Sequence, residues 1–274
     1  MTDMKTKQEV GLKQTNRILV GCVALLALGA MLVTGCSRGG GSITIGGSTT
    51  VQPLSEVWAA AYMAKHSDIE IAVQGGGSSA GVKGAAESVL DIGAASREVK
   101  ADELSKWADL KVFRVAADGV AICVHPSRNI DNLTLDEVQA IYMAGSNDEW
   151  TVISREEGSG TREVFEEKVM RGEKIAAKAE FLPSNGAVKQ KLATTENGIA
   201  FISLGYVDSS VKALKVDGVV CNEDTILDGS YPVMRYLNYI TKGEPAGIVK
   251  EFIDFALGAE GQDMVEAEGY IPLR

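Results

Sequence analysis

The amino-acid sequence predicts an α/β protein that is too long for one small module and too short for more than two domains. Its 274 residues are 45% hydrophobic and 23% charged, which is enough apolar side chain to bury a substantial core. Three times along the chain, a short strand-like run leads through a turn rich in Gly, Ser and Thr into a helical pattern. Repeated alternation of strands with helices indicates the α/β class.

The first 41 residues predict an export signal followed by a tether. Basic residues precede an uncharged run at 18–33, and the run leads into the segment LVTGC at 32–36, whose last residue is Cys36. This order is typical of a secretory signal, and the ending resembles the lipobox of secreted lipoproteins. The resemblance implies a signal peptide at 1–35, a lipid on Cys36 and a flexible tether at 36–41, with the folded part anchored at the outer face of the membrane. The alternative is an uncleaved signal anchor in which Cys36 is incidental.

The charge balance argues against a nucleic-acid partner and against a surface built for anionic lipid. The chain has 37 acidic and 27 basic side chains, for a net charge of -10. Both of those partners are bound by basic faces. We therefore expect no nucleic-acid partner.

The three strand-to-helix junctions share one chemistry. The strand-like runs are 43–45, 69–73 and 151–153, and the turns that follow them are 46–50, 75–81 and 154–161. Free N–H groups at a helix start favour an anion, while hydroxyl groups add donors that can rotate. A single junction of this kind reads as ordinary helix capping. Three in one chain favour an anion-binding site.

Arg155 strengthens the case for an anion. It ends the third strand-like run, four residues before Ser159, so it can converge on the same ion as the following turn. Glu157 is expected to hold its guanidinium group in position. The alternative is an ordinary ion pair at the surface.

The cysteines and histidines predict neither a metal site nor a cofactor. Cys123 and Cys221 each lie beside a strand-like run. They are either two buried thiols or a disulfide, which can form in an exported protein. An enzyme, such as a secreted phosphatase, would need a base beside a serine. The chain offers only His66 and His125 as imidazole bases, and each is better explained by its place at the end of an element.

Several motifs in order resemble the phosphate-binding proteins of phosphate-specific ABC importers. They are the segments 47–54, 74–83, 155–161, 184–188, 198–206 and 266–273, which together span nearly everything after residue 42. The resemblance implies a periplasmic-binding-protein fold, class II-like, with two lobes that close over phosphate in a cleft. It also implies no enzymatic activity and no cofactor, with inorganic phosphate and the permease subunits of an importer as partners of a monomer.

The resemblance also implies a set of binding residues. They are Ser48, Thr49, Thr50, Ser78, Ser96, Arg97, Arg155, Ser159, Gly160 and Thr161, with Glu157 behind Arg155. Many members of the family have an aspartate near Ser96 and Arg97 that accepts the proton of bound phosphate. Its absence here predicts that sulfate competes measurably and that arsenate competes well.

With that fold in mind, the lobes can be placed on the sequence. The first lobe is expected to comprise 42–122 plus 233–274 and the second 123–232, with a hinge where the chain crosses between them. Two alternatives within binding proteins remain open. One is a protein for another tetrahedral oxyanion, and the other is a lipoprotein that senses phosphate through a membrane partner.

Overall fold

The computed structural model describes residues 40–274. The predicted signal peptide, the lipidation residue Cys36 and most of the tether lie outside the described residues. Within residues 40–274, none of the helices combines the length and the apolar character needed to cross a lipid bilayer.

Strands and helices alternate through this part of the chain. The strands are β1 (Ser42–Gly47), β2 (Glu70–Gln74), β3 (Ile92–Ala95), β4 (Leu110–Val124), β5 (Asn132–Leu133), β6 (Thr151–Arg155), β7 (Glu180–Leu182), β8 (Gly198–Ser203), β9 (Lys212–Ala213), β10 (Lys215–Val216) and β11 (Met234–Lys242). The helices are α1 (Gln52–Lys65), α2 (Ser78–Ala86), α3 (Ala101–Lys106), α4 (Leu135–Ala144), α5 (Gly160–Phe165), α6 (Asn185–Leu192), α7 (Glu223–Leu227), α8 (Gly247–Leu257) and α9 (Ala259–Ala267). A π-helical turn (Glu166–Met170) continues α5, and a 3-10 turn (Leu204–Tyr206) follows β8. The predicted α/β class is confirmed.

The principal sheet has the strand order β2-β1-β3-β11-β4-β8-β6-β7, and β9 pairs with β4. Strand β1 runs parallel to β2 and β3, whereas β11 is antiparallel to both β3 and β4. The long strand β4 pairs with β11 through residues 110–119 and with β8 through residues 120–124. Strand β4 therefore connects two halves of the sheet.

Each half of the sheet has its own hydrophobic core. One core surrounds Trp58, which is fully buried and makes an edge contact with Tyr239 at a centroid distance of 5.7 Å. The other core surrounds Phe165 and Phe201, whose rings stack at 4.1 Å. On β4, Ala116 packs in the first core and its neighbour Ala117 in the second. The chain after residue 40 thus forms two α/β lobes that share strand β4.

Local sequence accounts for the first helix of each lobe. In α1, Pro53 lies in the first turn, where a missing N–H costs least, and the indole N–H of buried Trp58 donates to the carbonyl of Gly261 at 2.9 Å. In α4, the predicted capping box is confirmed, because Thr134 Oγ1 accepts from the N–H of Glu137 and the Glu137 carboxylate accepts from the N–H of Thr134. The proline of α1 and the capping box of α4 mark where each helix begins, and the Trp58 contact ties α1 to the rest of its lobe.

Cys123 and Cys221 are both buried and both free, so the interpretation as two buried thiols is confirmed. Burial raises the pKa of the Cys123 thiol well above its usual range, and it raises the pKa of Cys221 to about 12. Both groups are therefore held as neutral thiols.

Candidate functional site

A small, narrow cavity lies where the predicted loops converge. It is lined by Ser48, Thr49, Gly77, Ser78, Ser96, Arg155, Ser159, Gly160 and Thr161. These residues follow the carboxyl ends of β1, β2, β3 and β6, which is where open α/β sheets bind their ligands. Eight of the ten residues predicted to bind phosphate are thus brought together around one cavity, and within the described range 40–274 no carboxylate lines it.

Unpaired backbone N–H groups are concentrated at this cavity. The amides of Thr49, Ser78, Gly160 and Thr161 donate no hydrogen bond to any residue in the range 40–274. The last three belong to the first turns of α2 and α5, where N–H groups have no partner inside the helix. A buried amide without an acceptor is costly, so an anion with several oxygens would satisfy donors that the protein itself leaves free.

Two glycines allow the loops to approach each other. Gly77 has a φ of +86°, and a Cβ added there would lie 2.9 Å from the carbonyl oxygen of Gly158. At Gly160, an added Cβ would overlap the hydroxyl group of Ser78 and lie 2.8 Å from that of Ser96. Any side chain at either position would push the loops of the two lobes apart or occupy the cavity.

Arg155 is buried and lines the cavity. Its Nε donates to the carbonyl of Leu182 at 3.1 Å, and Nη2 donates to the carbonyl of Pro183 at 3.1 Å and to Glu156 at 3.0 Å. Burial lowers the pKa of Arg155, partly opposed by Glu156, but a guanidinium group stays charged in proteins. Nη1 donates to no residue in the described chain, so one edge of the cation remains available to a ligand.

The prediction that Glu157 holds Arg155 is wrong. Its neighbour Glu156 forms that ion pair, whereas Glu157 is exposed. The chain turns at Glu157 and Gly158 directly after β6, and this turn carries the Glu157 side chain to the surface. The partner of the arginine is therefore one residue earlier than expected.

The prediction that Arg97 binds the anion is also not supported, because Arg97 does not line the cavity. Its Nη1 contacts Glu103 at 2.8 Å, and its Nε lies 2.9 Å from Glu163. Ser96 and Arg97 directly follow β3, in a bend of the chain. Ser96 lines the cavity, whereas Arg97 faces away from it, where two carboxylates neutralise it.

Thr50 was also predicted to bind the ligand, but its side chain lies behind the cavity. Its Oγ1 accepts from Asn185 Nδ2 at 2.8 Å and from Arg235 Nη2 at 3.2 Å, and it lies 3.2 Å from Thr161 Oγ1. Its N–H donates to Ser48 Oγ at 3.2 Å. Thr50 therefore supports two cavity residues and does not line the cavity.

Sequence reasoning missed a buried ion pair next to the cavity. Arg235 contacts Asp118 through Nε at 2.9 Å and Nη2 at 2.7 Å, and its Nη1 donates to Thr161 Oγ1 at 2.9 Å. Burial raises the pKa of Asp118, while Arg235 and the hydroxyl of Ser203 favour its ionised form. The sequence did contain a sign of this pair, because Asp118 and Arg235 each interrupt an apolar strand. Charged residues are almost never fully buried unless they are paired.

The two lobes touch each other around the cavity. Tyr206, which follows β8, donates to the carbonyl of Thr49 at 2.7 Å, and the N–H of Ser79 donates to the carbonyl of Gly158 at 3.1 Å. A cluster of charges at its edge joins Arg97 and Lys100 to Glu163, with Lys100 Nζ at 2.6 Å from the Glu163 carboxylate. The cavity is therefore closed by contacts between loops of both lobes.

Comparisons with known proteins agree with this geometry. Residues 33–260 match a family model described as the PBP superfamily domain. The phosphate-binding protein PstS of Bacillus subtilis is 32% identical over 255 residues, which are 87% of this chain and 83% of that protein. PstS of Borreliella burgdorferi is 27% identical over 258 residues, covering 85% of this chain and 90% of that one.

Solved structures give the same result. A protein from Clostridium perfringens, described as the substrate-binding protein of a phosphate ABC transporter and crystallised with bound phosphate, superposes with a TM-score of 0.80 at 39% identity, over 85% of this chain and 100% of that one. An ABC-type phosphate transport receptor from Vibrio cholerae superposes with a TM-score of 0.70 at 32% identity, over 84% and 100%. The predicted two-lobe periplasmic-binding-protein fold is thereby confirmed. The chain belongs to the PBP superfamily and, within it, to the family of the phosphate-binding proteins PstS.

Proposed function

We propose that this protein binds inorganic phosphate outside the cytoplasm and delivers it to an ABC importer. The observation that carries the proposal is the cavity, in which the free edge of Arg155, four unpaired amides and several hydroxyl groups converge. The space between these groups is narrow, so it suits a small oxyanion rather than a nucleotide.

Hydrogen bonds can hold the ion although the protein as a whole is acidic. Each hydrogen bond to a charged group contributes about 1.5–3 kcal/mol, and a site closed to water strengthens such bonds. Exposed carboxylates more than about 10 Å away are largely screened at physiological salt. The net charge of -10 is therefore compatible with an anionic ligand.

The proposed ligand contacts are the cavity-lining members of the predicted set. They are Ser48, Thr49, Ser78, Ser96, Arg155, Ser159, Gly160 and Thr161. Thr50 is proposed to orient its neighbours, and Arg97 and Glu157 do not contact the ligand in this proposal. The absence of an acidic or histidine side chain from the cavity lining means that none of its serines has a general base beside it, which supports binding without chemistry.

The division into lobes is proposed as 42–122 plus 233–274 and 123–232. The two cores support a crossing near both bounds, since β4 leaves the first core after Ala116 and the chain returns to it between Val233 and Leu237. The observed change of core on β4 falls slightly before the proposed bound. A hinge at these crossings would let the lobes open and release the ion.

Membrane anchoring through Cys36 is proposed from the sequence. The basic start, the apolar run at 18–33 and the cysteine after small residues support a signal peptide at 1–35 and a lipid-anchored, monomeric protein. A tether at 36–41 would leave the lobes free to reach the permease subunits of an importer.

Calorimetry of the protein after unfolding, dialysis and refolding tests the proposal. We expect one phosphate per protein and a rise in the melting temperature with added phosphate, because a ligand that binds only the folded state stabilises it. A chromogenic phosphate ester serves as the control, and we expect no turnover. If phosphate produces no heat of binding and no shift in the melting temperature, the proposal is refuted.

A further inference from the structure

The hydroxyl groups of the cavity differ in whether their oxygens are already occupied. A hydroxyl donates one proton and can accept at two positions. Thr50 Oγ1 accepts from Asn185 Nδ2 and Arg235 Nη2, so its own proton points to Thr161 Oγ1 at 3.2 Å. The orientation of the Asn185 amide is fixed, because its Oδ1 accepts the N–H of Ser203. These contacts determine the direction of the proton on Thr50.

This direction makes Thr161 an obligatory donor to the cavity. Its Oγ1 accepts from Thr50 at 3.2 Å and from Arg235 Nη1 at 2.9 Å, which fills both acceptor positions. Its own proton therefore has only the cavity to point into. The ion pair of Arg235 with Asp118 holds the guanidinium group in the position that this arrangement requires.

Three serines of the cavity are biased in the same direction. The oxygens of Ser48, Ser78 and Ser159 each accept a backbone N–H, at 3.2, 3.0 and 3.3 Å respectively. A hydroxyl that accepts a hydrogen bond becomes a better donor, because bonds in a chain polarise one another. These serines are therefore best suited to donate to an anion.

Thr49 is different from all of these residues. Its residue surface is 8% exposed, and its Oγ1 is buried without any hydrogen-bond partner among residues 40–274. The backbone carbonyl of Thr49 already accepts from Tyr206, so the hydroxyl oxygen is the unoccupied acceptor that Thr49 offers to the cavity. Ser96 Oγ, which also receives no N–H, shares a long contact of 3.4 Å with Ser78 Oγ.

We propose that Thr49 accepts the proton of bound monohydrogen phosphate and so sets the preference for phosphate over sulfate. The inference rests on the proposed function, and it follows from the donor character of the other groups. Phosphate brings one O–H into a closed cavity whose lining contains no carboxylate. Leaving a buried donor without an acceptor costs roughly 5- to 150-fold in affinity, so the unoccupied oxygen of Thr49 is the place for that proton.

The substitution Thr49→Asp tests this direction, because a carboxylate only accepts. If Thr49 faces the O–H of phosphate, the Kd of the variant for phosphate should stay within about tenfold of the parent's. Its Kd for sulfate should rise by at least about 100-fold, since two like charges in contact are costly. Calorimetry with phosphate and with sulfate at mildly alkaline pH measures both. A loss of both anions, or the retention of both, would overturn the proposal.

Ser159→Asp is the matched control for a carboxylate in the cavity. Ser159 is the N-cap of α5, and aspartate is also a favourable N-cap, so the variant is expected to fold. At a donor position, the carboxylate should abolish the binding of both anions. If this variant instead kept phosphate and lost sulfate, the acceptor would be Ser159 and the assignment to Thr49 would be wrong.

A second comparison needs no new charge and covers the case in which Thr49→Asp does not fold. Monofluorophosphate replaces the O–H of phosphate by fluorine, which needs no acceptor. Thr49→Val should weaken the binding of phosphate by roughly 5- to 150-fold and the binding of monofluorophosphate by less than about threefold. Ser96→Ala should weaken the binding of both ligands equally. The reverse pattern would assign the proton to Ser96 and overturn the proposal. A parent protein that binds neither phosphate nor sulfate would overturn the proposed function itself, and the inference with it.

Discussion

Replacing Arg155 by Ala should weaken phosphate binding more than replacing any single serine of the cavity. Among residues 40–274, Arg155 is the only cation that lines the cavity, and it is 1% exposed. Its Nε and Nη2 groups are held by the carbonyls of Leu182 and Pro183 and by Glu156, so the remaining edge is already oriented before the ligand arrives. A group fixed in this way loses little entropy on binding.

The expected magnitude follows from the contacts. One charge-assisted hydrogen bond is worth about 1.5–3 kcal/mol, and two unit charges about 4 Å apart attract by about 4 kcal/mol at an effective dielectric constant of 20. We therefore expect Arg155→Ala to raise the Kd by at least about 100-fold, since each 1.4 kcal/mol is tenfold. Ser159→Ala removes one neutral donor, and we expect about tenfold.

Titration calorimetry on the refolded, phosphate-free proteins measures both constants. Arg114→Ala is the control, because Arg114 is a half-exposed arginine that pairs with Glu98 and does not line the cavity. The melting temperature without phosphate is recorded separately, since the substitution of Arg155 also leaves the carbonyl of Pro183 without its donor. If Arg155→Ala binds phosphate as tightly as the parent, the cation does not face the ligand and the reasoning fails.

Three further predictions concern release, selectivity and anchoring. Glu163→Gln removes the charge that joins Arg97 and Lys100 across the cleft. The release of phosphate, measured by stopped flow, should become about fivefold faster, because a partly exposed ion pair is worth about 1 kcal/mol. An unchanged rate would show that the cluster does not hold the lobes closed. Arsenate should displace phosphate readily, and excess sulfate should displace it measurably, because no carboxylate of residues 40–274 lines the cavity. If sulfate has no effect in competition calorimetry, the site contains an acceptor with a full negative charge. Cys36→Ser should release the protein from the membrane fraction or leave it unprocessed, and a shortened form that still fractionates with membranes would contradict the lipid anchor.

The junctions that build the site were predictable because their chemistry is local. A strand, a turn of Gly, Ser and Thr and a helix start occupy consecutive residues, and the free N–H groups follow from helix geometry alone. The turns that contain Ser48, Ser78, Ser159 and Thr161 were therefore identified from the sequence, the resemblance implied these four residues as ligands, and all four line the cavity. The α/β class also agrees with expectation, and of the two alternatives that the sequence left open for the cysteines, the structure has the buried thiols.

Side-chain direction at the strand ends was not predictable in the same way. At these strand ends, neighbouring residues have different roles. Ser96 faces the cavity and Arg97 does not, and Glu156 rather than Glu157 pairs with Arg155. The sequence shows that such residues are close to the site, but the turn that follows each strand decides which one points inward.

The sequence by itself determined the class of fold and the chemical character of the site, because helix starts, turns and hydroxyl donors act within a few residues of chain. The tertiary structure alone decided how these donors are oriented. Asp118 and Arg235 are 117 positions apart and meet only because β4 and β11 are neighbours in the sheet. Their ion pair places Arg235 Nη1 against the hydroxyl oxygen of Thr161, whereas Thr49 Oγ1 has no hydrogen-bond partner among residues 40–274. Proton direction depends on contacts between distant segments, and such contacts exist only after the strands have paired.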